Sequence, residues 1–333
     1  MHPISQKKKS YEGGEQDVIE NAILYAAEDW FYPVINGIPR LLVEASIDYA
    51  GFFEQHMPDF PARKEQLLRK YGPFIRSVAA KNKRTKQSFE LEWSLFNYKN
   101  DKTWNLPPPG MLQQFLDETG ETETSLRDKL VFDAGCGNGK LNPLVAALGC
   151  TILGMDLGRS IERAWEQNTH PKALFIQGDV QFPPVAFEHF DIVHCSGVLI
   201  HTNHSELSFS CIAPCVRPGG KLSVWVYHPR KNMIHNLFNG LRRLTSPLPV
   251  KLQYYIYLLT LFPISFIVKR LKGNKQNARE MIIDILDWFS PEFRREHTTG
   301  EVSAWFYKRQ FPQPTVTTSG LFGFNMTGIK TGE

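Results

Sequence analysis

The sequence predicts an α/β protein built on a doubly wound, mostly parallel sheet. From Leu130 onward, short apolar runs alternate with segments of helix length, which is the pattern of strand–helix–strand units around a parallel sheet. A glycine-rich turn directly follows the first apolar run, as it does where a strand passes into a helix in such sheets. The predicted strands are Leu130–Asp133, Thr151–Asp156, Ala173–Gln177, Phe190–Cys195 and Lys221–Tyr227, with helices near 139–148, 159–168 and 204–216.

The remaining segments frame this sheet. Residues 1–13 are polar and predict a disordered tail, residues 14–120 predict a small mixed α+β extension, and residues 121–333 form the main domain with a helical insertion at 229–290. The smaller predicted elements are a strand and turn at 30–42, helices near 62–80, 109–118 and 298–308, and strands at 315–318 and 322–329. The last two strands would complete a sheet of seven.

Composition and cysteine content narrow the class of protein. The chain has 333 residues, 42% hydrophobic and 22% charged, with a formal net charge of +4 and no basic stripe, so we expect no nucleic-acid partner. Five cysteines, an odd number, in a chain without a recognisable signal sequence predict reduced thiols and a cytoplasmic protein. Cys211 and Cys215 lie one helical turn apart without a second pair, so we expect packing rather than metal binding.

The turn from Asp133 to Gly139 has the sequence D-A-G-C-G-N-G. Its glycines allow a ligand to approach the backbone closely. A dinucleotide fingerprint would need a third glycine where Lys140 stands. Asp133 would repel a pyrophosphate but can pair with an ammonium group, such as that of the methionine end of S-adenosyl-L-methionine. The turn therefore favours this cofactor over NAD.

Acidic residues also follow the next two predicted strands. Asp156, followed by Leu157, ends the second strand, where a carboxylate can accept hydrogen bonds from both ribose hydroxyls. Gly178, Asp179 and Val180 follow the third strand, where an acid can accept from the adenine amino group. Each feature alone is also typical of a tight turn or a helix cap, but their order along the chain favours the cofactor site.

These motifs resemble those of class I S-adenosylmethionine-dependent methyltransferases. The matching segments are V-F-D-A-G-C-G-N-G, G-M-D-L, Q-G-D-V and V-R-P-G-G-K-L, within residues 130–228. The resemblance implies a Rossmann-like, mostly parallel seven-stranded sheet and S-adenosyl-L-methionine as cofactor. The cofactor-binding residues that it implies are Asp133, Ala134, Gly135, Cys136, Gly137, Asn138, Asp156, Leu157, Gly178, Asp179, Val180, Cys195 and Ser196.

Three outer segments resemble a bacterial methyltransferase subfamily that often carries an N-terminal zinc-ribbon-like module of the Trm112 type. They are Y-P-V-I-N-G-I-P-R-L-L, F-E-L-E-W-S-L-F at 89–96 and W-F-S-P-E-F-R-R-E-H at 288–297. No cysteine precedes Cys136, so a module of this type would be a metal-free remnant. No metal is expected in the protein.

Candidate catalytic residues lie after the fourth and fifth predicted strands. His201 and His228 have intrinsic pKa values near neutrality and could take a proton from an acceptor, and Tyr227 could orient that acceptor. Either histidine could equally be a rim or capping residue. Methyl transfer depends mainly on in-line positioning, so a dedicated base is optional.

The stretch from Leu252 to Val268 is almost wholly apolar and is flanked by basic residues. A buried cover over the active site, a peripheral membrane contact through 250–272 and a short membrane span remain alternatives. Its aromatic residues favour a small apolar or aromatic metabolite as substrate. Another reaction of the same cofactor, methylation of RNA or protein, and a non-catalytic cofactor-binding role also remain open, since fold alone does not fix function. The oligomeric state is left open.

Overall fold

The computed structural model describes residues 1–102, 106–230 and 233–332, with the side chain of residue 234 also left out. Two residues of the predicted insertion, 231 and 232, therefore lie outside the described residues. The chain begins with an antiparallel sheet in the order β1-β2-β3-β4. Its strands are β1 (His2–Tyr11), β2 (Gly14–Tyr25), β3 (Phe31–Ile35) and β4 (Ile38–Pro39).

The prediction of a disordered tail over residues 1–13 is wrong, because His2–Tyr11 forms strand β1 and pairs with β2. Lysines can occupy such a strand because their hydrocarbon stems lie along neighbouring surfaces. Lys9 donates to the Trp165 carbonyl at 2.7 Å and lies 4.5 Å from the centre of the Trp165 ring. Backbone pairing with β2 and this cation–π contact stabilise the strand. Its sequence lacks the alternation of apolar and polar residues from which a strand would be predicted.

Four helices follow the first sheet: α1 (Ala45–Asp48), α2 (Ala50–His56), α3 (Phe60–Leu95) and α4 (Pro108–Thr119). Helix α3 has 36 residues and continues fifteen residues beyond its predicted end at 80. Its second half buries polar side chains such as Asn82 and Glu92, so an apolar stripe does not mark it. Partners elsewhere in the chain hold this half in place, including Asp179 and the carbonyl of Pro247.

The large sheet has seven strands in the order β10-β11-β9-β8-β5-β6-β7. The strands are β5 (Leu130–Ala134), β6 (Thr151–Asp156), β7 (Ala173–Gln177), β8 (Phe190–Ser196), β9 (Val216–Tyr227), β10 (Thr315–Ser319) and β11 (Gly323–Ile329). Strands β5 to β9 are parallel, whereas β11 is antiparallel to β9 and β10. This topology confirms the predicted doubly wound, mostly parallel sheet of a Rossmann-like class I fold.

Helices cover both faces of the large sheet. They are α5 (Asn142–Ala146), α6 (Ser160–Gln167), α7 (Ser205–Ile212) and, after the insertion, α12 (Thr299–Tyr307). Helix α7 ends at Ile212, four residues before its predicted end at 216, and Pro218–Gly219–Gly220 lies inside β9. Two buried apolar clusters, one containing Phe132 and one containing Val131, occupy opposite sides of β5, as expected for a sheet buried on both faces.

The N-terminal sheet attaches to the edge strand β7. Leu41 N donates to the Gln177 carbonyl at 2.8 Å, and the Tyr49 hydroxyl donates to the Gln177 side chain. The fully buried Arg40 pairs with Glu162 of α6 at 3.1 Å. These contacts cover an edge that would otherwise expose unpaired backbone groups.

The insertion forms four helices: α8 (Met233–Thr245), α9 (Val250–Leu259), α10 (Leu261–Leu271) and α11 (Ala278–Phe289). Helix α11 starts with a capping box between Asn277 and Glu280. Across the described ranges, no single helix has the length and apolarity needed to cross a membrane; α9 and α10 meet that test only as a pair, bent by 50°.

Candidate active site

The order of the strands in the large sheet reverses at β5, which pairs with β6 on one side and with β8 on the other. Ligands bind outside the carboxyl ends of the strands at such a point. A cavity of about 1280 Å³ lies there. This exceeds the roughly 300–1,000 Å³ of a typical single-ligand pocket, so the volume is suited to two molecules side by side.

The glycine turn after β5 depends on its missing side chains. Gly135, Gly137 and Gly139 all have positive φ, at 96°, 56° and 66°, a region that disfavours other residues. A Cβ on Gly135 would lie 2.2 Å from Val198 Cγ2. On Gly139 it would lie 2.4 Å from Ala164 Cβ, between α6 and the sheet. The backbone of the turn therefore lies too close to Val198 and to Ala164 of α6 for side chains at Gly135 and Gly139 to fit.

A buried ionic network lies beneath the turn. His194 Nδ1 is 3.0 Å from Asp133 Oδ1, and His194 Nε2 is 2.8 Å from Glu118 Oε2 on α4. Burial alone would lower the pKa of His194, but hydrogen bonds to the two carboxylates raise it to about 10. Two carboxylates around one imidazolium leave one net negative charge. Asp133 Oδ2 makes no hydrogen bond to the described residues and Asp133 borders the cavity, so this oxygen is available to a cation.

Asp156 connects the end of β6 to the glycine turn. Its carboxylate accepts from Gly137 N at 3.0 Å, Gly158 N at 2.9 Å and the Ser160 hydroxyl at 3.0 Å. Burial raises the pKa of Asp156 to about 6, although these donors oppose the shift. A cation or hydroxyl donors bound in the cavity would favour the ionised form. Asp156 therefore holds the loop in shape and offers a carboxylate to a ligand.

Helix α3 covers the polar side of the cavity, which the sequence did not predict. Asp179 Oδ2 accepts from Lys81 Nζ and Asn82 Nδ2, each at 3.0 Å. Farther along α3, the ring of Trp93 lies so close to Gly137 that a Cβ there would be 3.1 Å away. Trp93, a large aromatic residue within a helix rich in charged residues, is the sequence signal that could have revealed this role.

Most of the predicted cofactor residues meet at one end of the cavity, which we call the polar half. Its predicted lining residues are Asp133, Gly135, Cys136, Gly137, Asn138, Asp156, Leu157, Gly178, Asp179, Val180 and Ser196. Ala134 and Cys195 are not among the lining residues and are fully buried in the core of the sheet. Successive side chains of a strand point to opposite faces of the sheet. Ala134 and Cys195 therefore point into the core, whereas their neighbours Asp133 and Ser196 border the cavity.

The polar half fits S-adenosylmethionine on its own chemistry. The cofactor carries an ammonium and a sulfonium, and the ionic network below the turn supplies a net negative charge. The glycine backbone leaves room for close approach at Gly135 and Gly137. Asp156 and Asp179 border the same space, at the carboxyl ends of adjacent strands.

The other end of the cavity, the aromatic half, is lined mainly by aromatic side chains from α3, β9, the insertion, the loop after it and the segment before β11. They are Phe89, Trp225, Tyr227, Phe238, Trp288, Phe289, Phe293 and Phe322. Helix α10 adds the apolar residues Leu261, Ile264 and Val268. Apolar walls with few polar groups are typical of sites for hydrophobic ligands.

His201 and Tyr227 both line the cavity, within the aromatic half. His201 Nδ1 is 3.0 Å from the Phe293 carbonyl; since a carbonyl only accepts, Nδ1 carries the proton. Burial, reinforced by the charges of Arg294 and Arg242, lowers the pKa of His201 to about 3. His201 is therefore neutral near pH 7, and its Nε2 lone pair is unprotonated.

Asp287 on α11 joins the two predicted residues, a link that sequence reasoning missed. The Tyr227 hydroxyl donates to Asp287 Oδ2 at 3.2 Å, and His201 Nε2 lies 3.9 Å from Asp287 Oδ1. Burial raises the pKa of Asp287, and it raises the pKa of Glu92 on α3, whose side chain is also fully buried. These carboxyl groups therefore carry less charge near neutral pH than exposed ones would.

Arg294 braces the same wall. Its guanidinium lies 4.2 Å from the ring centre of Tyr227 and 3.8 Å from that of Trp288, while its Nη1 pairs with Glu296 at 2.6 Å. Stacked guanidinium groups hold aromatic rings in fixed positions. Arg294 thus fixes the orientation of Tyr227 toward the cavity.

The structure does not bring His228 to the site. It is absent from the lining residues, and its ring nitrogens lie 3.2–3.3 Å from the carbonyls of Gly320 and Pro229. Strand β9 turns away after Tyr227, so the next side chain points outside the cavity. No cluster of three or more His, Cys, Asp or Glu side chains that could hold a metal occurs among the described residues.

Comparison with known proteins agrees with this site. Residues 132–224 match the family model described as a methyltransferase domain. The ubiquinone biosynthesis O-methyltransferase of Coxiella burnetii is 29% identical over 105 residues, which are 31% of this chain and 45% of that protein. The Vibrio cholerae protein of the same name is 32% identical over 104 residues, 30% of this chain and 42% of that protein. The match thus spans less than half the length of these relatives.

Among solved structures, magnesium protoporphyrin IX methyltransferase from Synechocystis with bound SAH aligns with a TM-score of 0.44 and 13% identity. The alignment covers 75% of this chain and 97% of that one. The sheet topology, the acidic site beside the glycine turn and the matched segment together define a class I methyltransferase domain. The cofactor of this domain is S-adenosylmethionine.

Proposed function

We propose that this protein methylates a small apolar or aromatic acceptor that carries an ionisable hydroxyl group. The observation that carries the proposal is the single cavity of about 1280 Å³, which joins the polar half to the aromatic half. A molecule in the aromatic half would lie next to the methyl-bearing end of the cofactor. The O-methyltransferase names of the two matched relatives support an oxygen acceptor.

S-adenosylmethionine, when bound, supplies a methyl group on a positively charged sulfur. The protein's own contribution is mainly position, because holding two reactants in line removes much of the entropic cost of their reaction. The aromatic rings hold the acceptor and exclude water, and Arg294 fixes Tyr227 and Trp288 in that wall. Tyr227 is anchored by Asp287 and orients the acceptor.

His201 is the residue best placed to receive the acceptor proton. Its Nδ1 proton is committed to the Phe293 carbonyl, which leaves Nε2 as the basic nitrogen. A proton on Nε2 would make His201 cationic, and Asp287 Oδ1 at 3.9 Å could stabilise that charge. The low pKa of His201 makes it a weak base in the resting pocket, so we assign it a modest share of the rate, about 100-fold.

The N-terminal sheet is, in our proposal, a metal-free counterpart of a Trm112-type module. Its support is the motif Y-P-V-I-N-G-I-P-R-L-L, which forms β3, β4 and the turn between them. The sheet reaches the cofactor site indirectly, through Gln177 at the end of β7 and through helix α3. This fits a structural role rather than metal-dependent activation.

The test has two stages. Calorimetry should first show that the full chain binds S-adenosylhomocysteine. Isotopically labelled S-adenosylmethionine is then incubated with apolar phenols, apolar carboxylic acids, RNA and denatured protein, and labelled product is measured. We expect label in the phenols alone. Binding without transfer to any acceptor would establish a non-catalytic role, and label in RNA or protein would replace the small-molecule proposal.

A further inference from the structure

The helical insertion has an unusual charge. Residues 230–279 contain ten Lys and Arg residues and no Asp or Glu, whereas the rest of the chain contains 28 basic and 34 acidic residues. A chain of modest net charge therefore concentrates its positive charge in one segment. A segment of this kind is attracted to anionic surfaces.

The same segment exposes large apolar side chains. Of the 24 that the described residues expose, eleven lie between Met233 and Leu271. They are Met233, Leu237, Phe238, Leu244, Leu252, Tyr255, Leu259, Ile264, Ile267, Val268 and Leu271. Scattered apolar residues are ordinary on a surface, but a concentration of this kind marks a contact site. We call the outer surface of helices α8 to α10 the apolar–basic face.

The apolar–basic face is attached to the protein by one side only. Helix α9 buries Gln253, whose side-chain oxygen accepts from the Ser290 hydroxyl at 2.6 Å, and Tyr257, whose hydroxyl donates to the Phe289 carbonyl at 3.4 Å; both partners lie at the end of α11. Helix α10 buries no residue completely. Because α9 is tied into the protein by polar contacts and α10 turns away by 50°, the pair is suited to lie along an interface rather than to cross a bilayer.

Helix α10 also forms part of the cavity wall. Ile264 and Val268 line the aromatic half and are 64% and 44% exposed. The same side chains therefore contact the cavity and the outside of the protein. A route between α10 and the surface would lead directly into the aromatic half.

We propose that the apolar–basic face docks on an anionic phospholipid bilayer, and that the acceptor enters the aromatic half from that bilayer. The acceptor would then be an amphiphile dissolved in the membrane; this part rests on the proposed function, whereas docking does not. A second copy of the chain is a poorer occupant because both faces would carry exposed positive charges, among them Arg243, Lys251 and Arg270, and residues 230–279 contain no acid to pair with them. A bilayer offers both the apolar depth and the opposite charge.

Vesicle sedimentation with the full chain tests the docking. Vesicles of phosphatidylcholine alone are compared with vesicles containing about 30% phosphatidylglycerol, an anionic fraction that gives a negative surface potential. We expect binding to the anionic vesicles, and at least tenfold weaker binding to neutral ones or in high salt.

A charge variant identifies the face. Arg243→Gln, Lys251→Gln and Arg270→Gln remove exposed charges from α8, α9 and α10. Together they should weaken binding to anionic vesicles by about 100-fold, at about fivefold for each charge. None of the three residues lines the cavity. The matched control is Lys8→Gln, Arg69→Gln and Lys308→Gln, which removes three equally exposed charges elsewhere and should leave binding within twofold of the wild type.

An apolar variant separates docking from simple charge attraction. Leu259→Ser, Ile267→Ser and Leu271→Ser should weaken binding at least tenfold, whereas Phe187→Ser, Leu207→Ser and Tyr307→Ser, at similarly exposed positions, should not. Calorimetry with S-adenosylhomocysteine and a sedimentation-velocity measurement accompany every variant. These measurements verify folding and report the oligomeric state.

Three results overturn the proposal. Wild-type protein could stay in the supernatant with every vesicle, both control variants could lose binding as strongly as the test variants, or the apolar variant could turn a wild-type dimer into a monomer. The last would assign the face to a second copy. Vesicle binding is measured without methyl transfer, so the two proposals can fail separately. If the protein binds vesicles but methylates none of the acceptors, docking stands and the protein has another activity.

Discussion

The predicted cofactor residues of the polar half come from one stretch of chain, residues 133–196, whereas the aromatic half combines side chains from α3, β9, the insertion, the loop after it and the segment before β11. In the polar half, acidic side chains lie in order at successive strand ends. In the aromatic half, the carboxyl groups of Asp287 and Glu92 have raised pKa values and rings line the wall. The first half is suited to one charged molecule, and the second to a hydrophobic one whose identity depends on shape.

The largest expected effect is a loss of cofactor binding, and it comes from a substitution in the glycine turn of the polar half. Gly135→Ala would place a Cβ 2.2 Å from Val198 Cγ2 at a φ of 96°, so calorimetry should detect no cofactor binding. Gly240→Ala, on α8 with nothing within 4 Å of its Cβ, is the control and should bind normally. Normal affinity in Gly135→Ala would show that the turn does not shape the polar half.

The ionic network should make stability depend on pH. Because the folded pKa of His194 is raised to about 10, its contribution is complete below the unfolded value near 6.5 and is lost as pH rises to about 10. Chemical denaturation of the wild type should show a loss of several kcal/mol across this window. His194→Gln should be less stable at pH 6.5 and lack the decline assigned to this proton; the same decline in the variant would assign it to another group.

Removing the negative charge from the polar half should weaken cofactor binding strongly. Asp133→Asn keeps the shape of the side chain but takes away the partner of the cofactor's ammonium, so the Kd should rise about 100-fold, the loss expected for a buried charge pair. Asp117→Asn, on the exposed side of α4, should not change it. A rise of less than threefold would mean that the ammonium binds elsewhere.

The aromatic half should affect turnover without affecting the cofactor. His201→Gln should lower kcat about 100-fold while the affinity for S-adenosylhomocysteine stays constant. His228→Gln is the matched control, since that ring lies outside the cavity, and should retain full turnover. Equal turnover in the two variants would remove His201 from the mechanism.

The smallest expected effect concerns the helix that covers the polar half. Lys81→Met removes the partly exposed ion pair with Asp179, and partly exposed pairs contribute about 0.5 kcal/mol, so the cofactor Kd should rise two- to threefold. Lys83→Met, which removes an exposed charge two residues away, should have no effect. Equal Kd values in both variants would show that Lys81 does not help to hold Asp179.

The sequence was informative where local chemistry decides the structure. Strands β6 and β7 have their predicted bounds, and Asp133, Asp156 and Asp179 all border the cavity. Each lies at or just after the end of a strand whose length and apolarity mark that end, so position and charge could be inferred together. Ala134 and Cys195 do not line the cavity, because motif membership does not show which way an individual side chain points.

The sequence was less informative where distant segments meet. The pairing of His194 with Glu118 joins β8 to a helix 76 residues earlier, and Asp287 meets Tyr227 across 60 residues. No local pattern marks either partner, since both are ordinary acids on helices. The strand at His2–Tyr11 was missed for a related reason, because its stability comes from Trp165 and β2 rather than from its own residues.

Helix α3 imposes an order on the folding of a newly synthesised chain. It leaves the ribosome before its partners exist: Lys81 meets Asp179, 98 residues later, and Arg84 meets Pro247, 163 residues later. Closing such long loops costs entropy that only the finished contacts offset. The cover that α3 forms over the polar half is therefore complete only after the chain has been synthesised as far as Pro247.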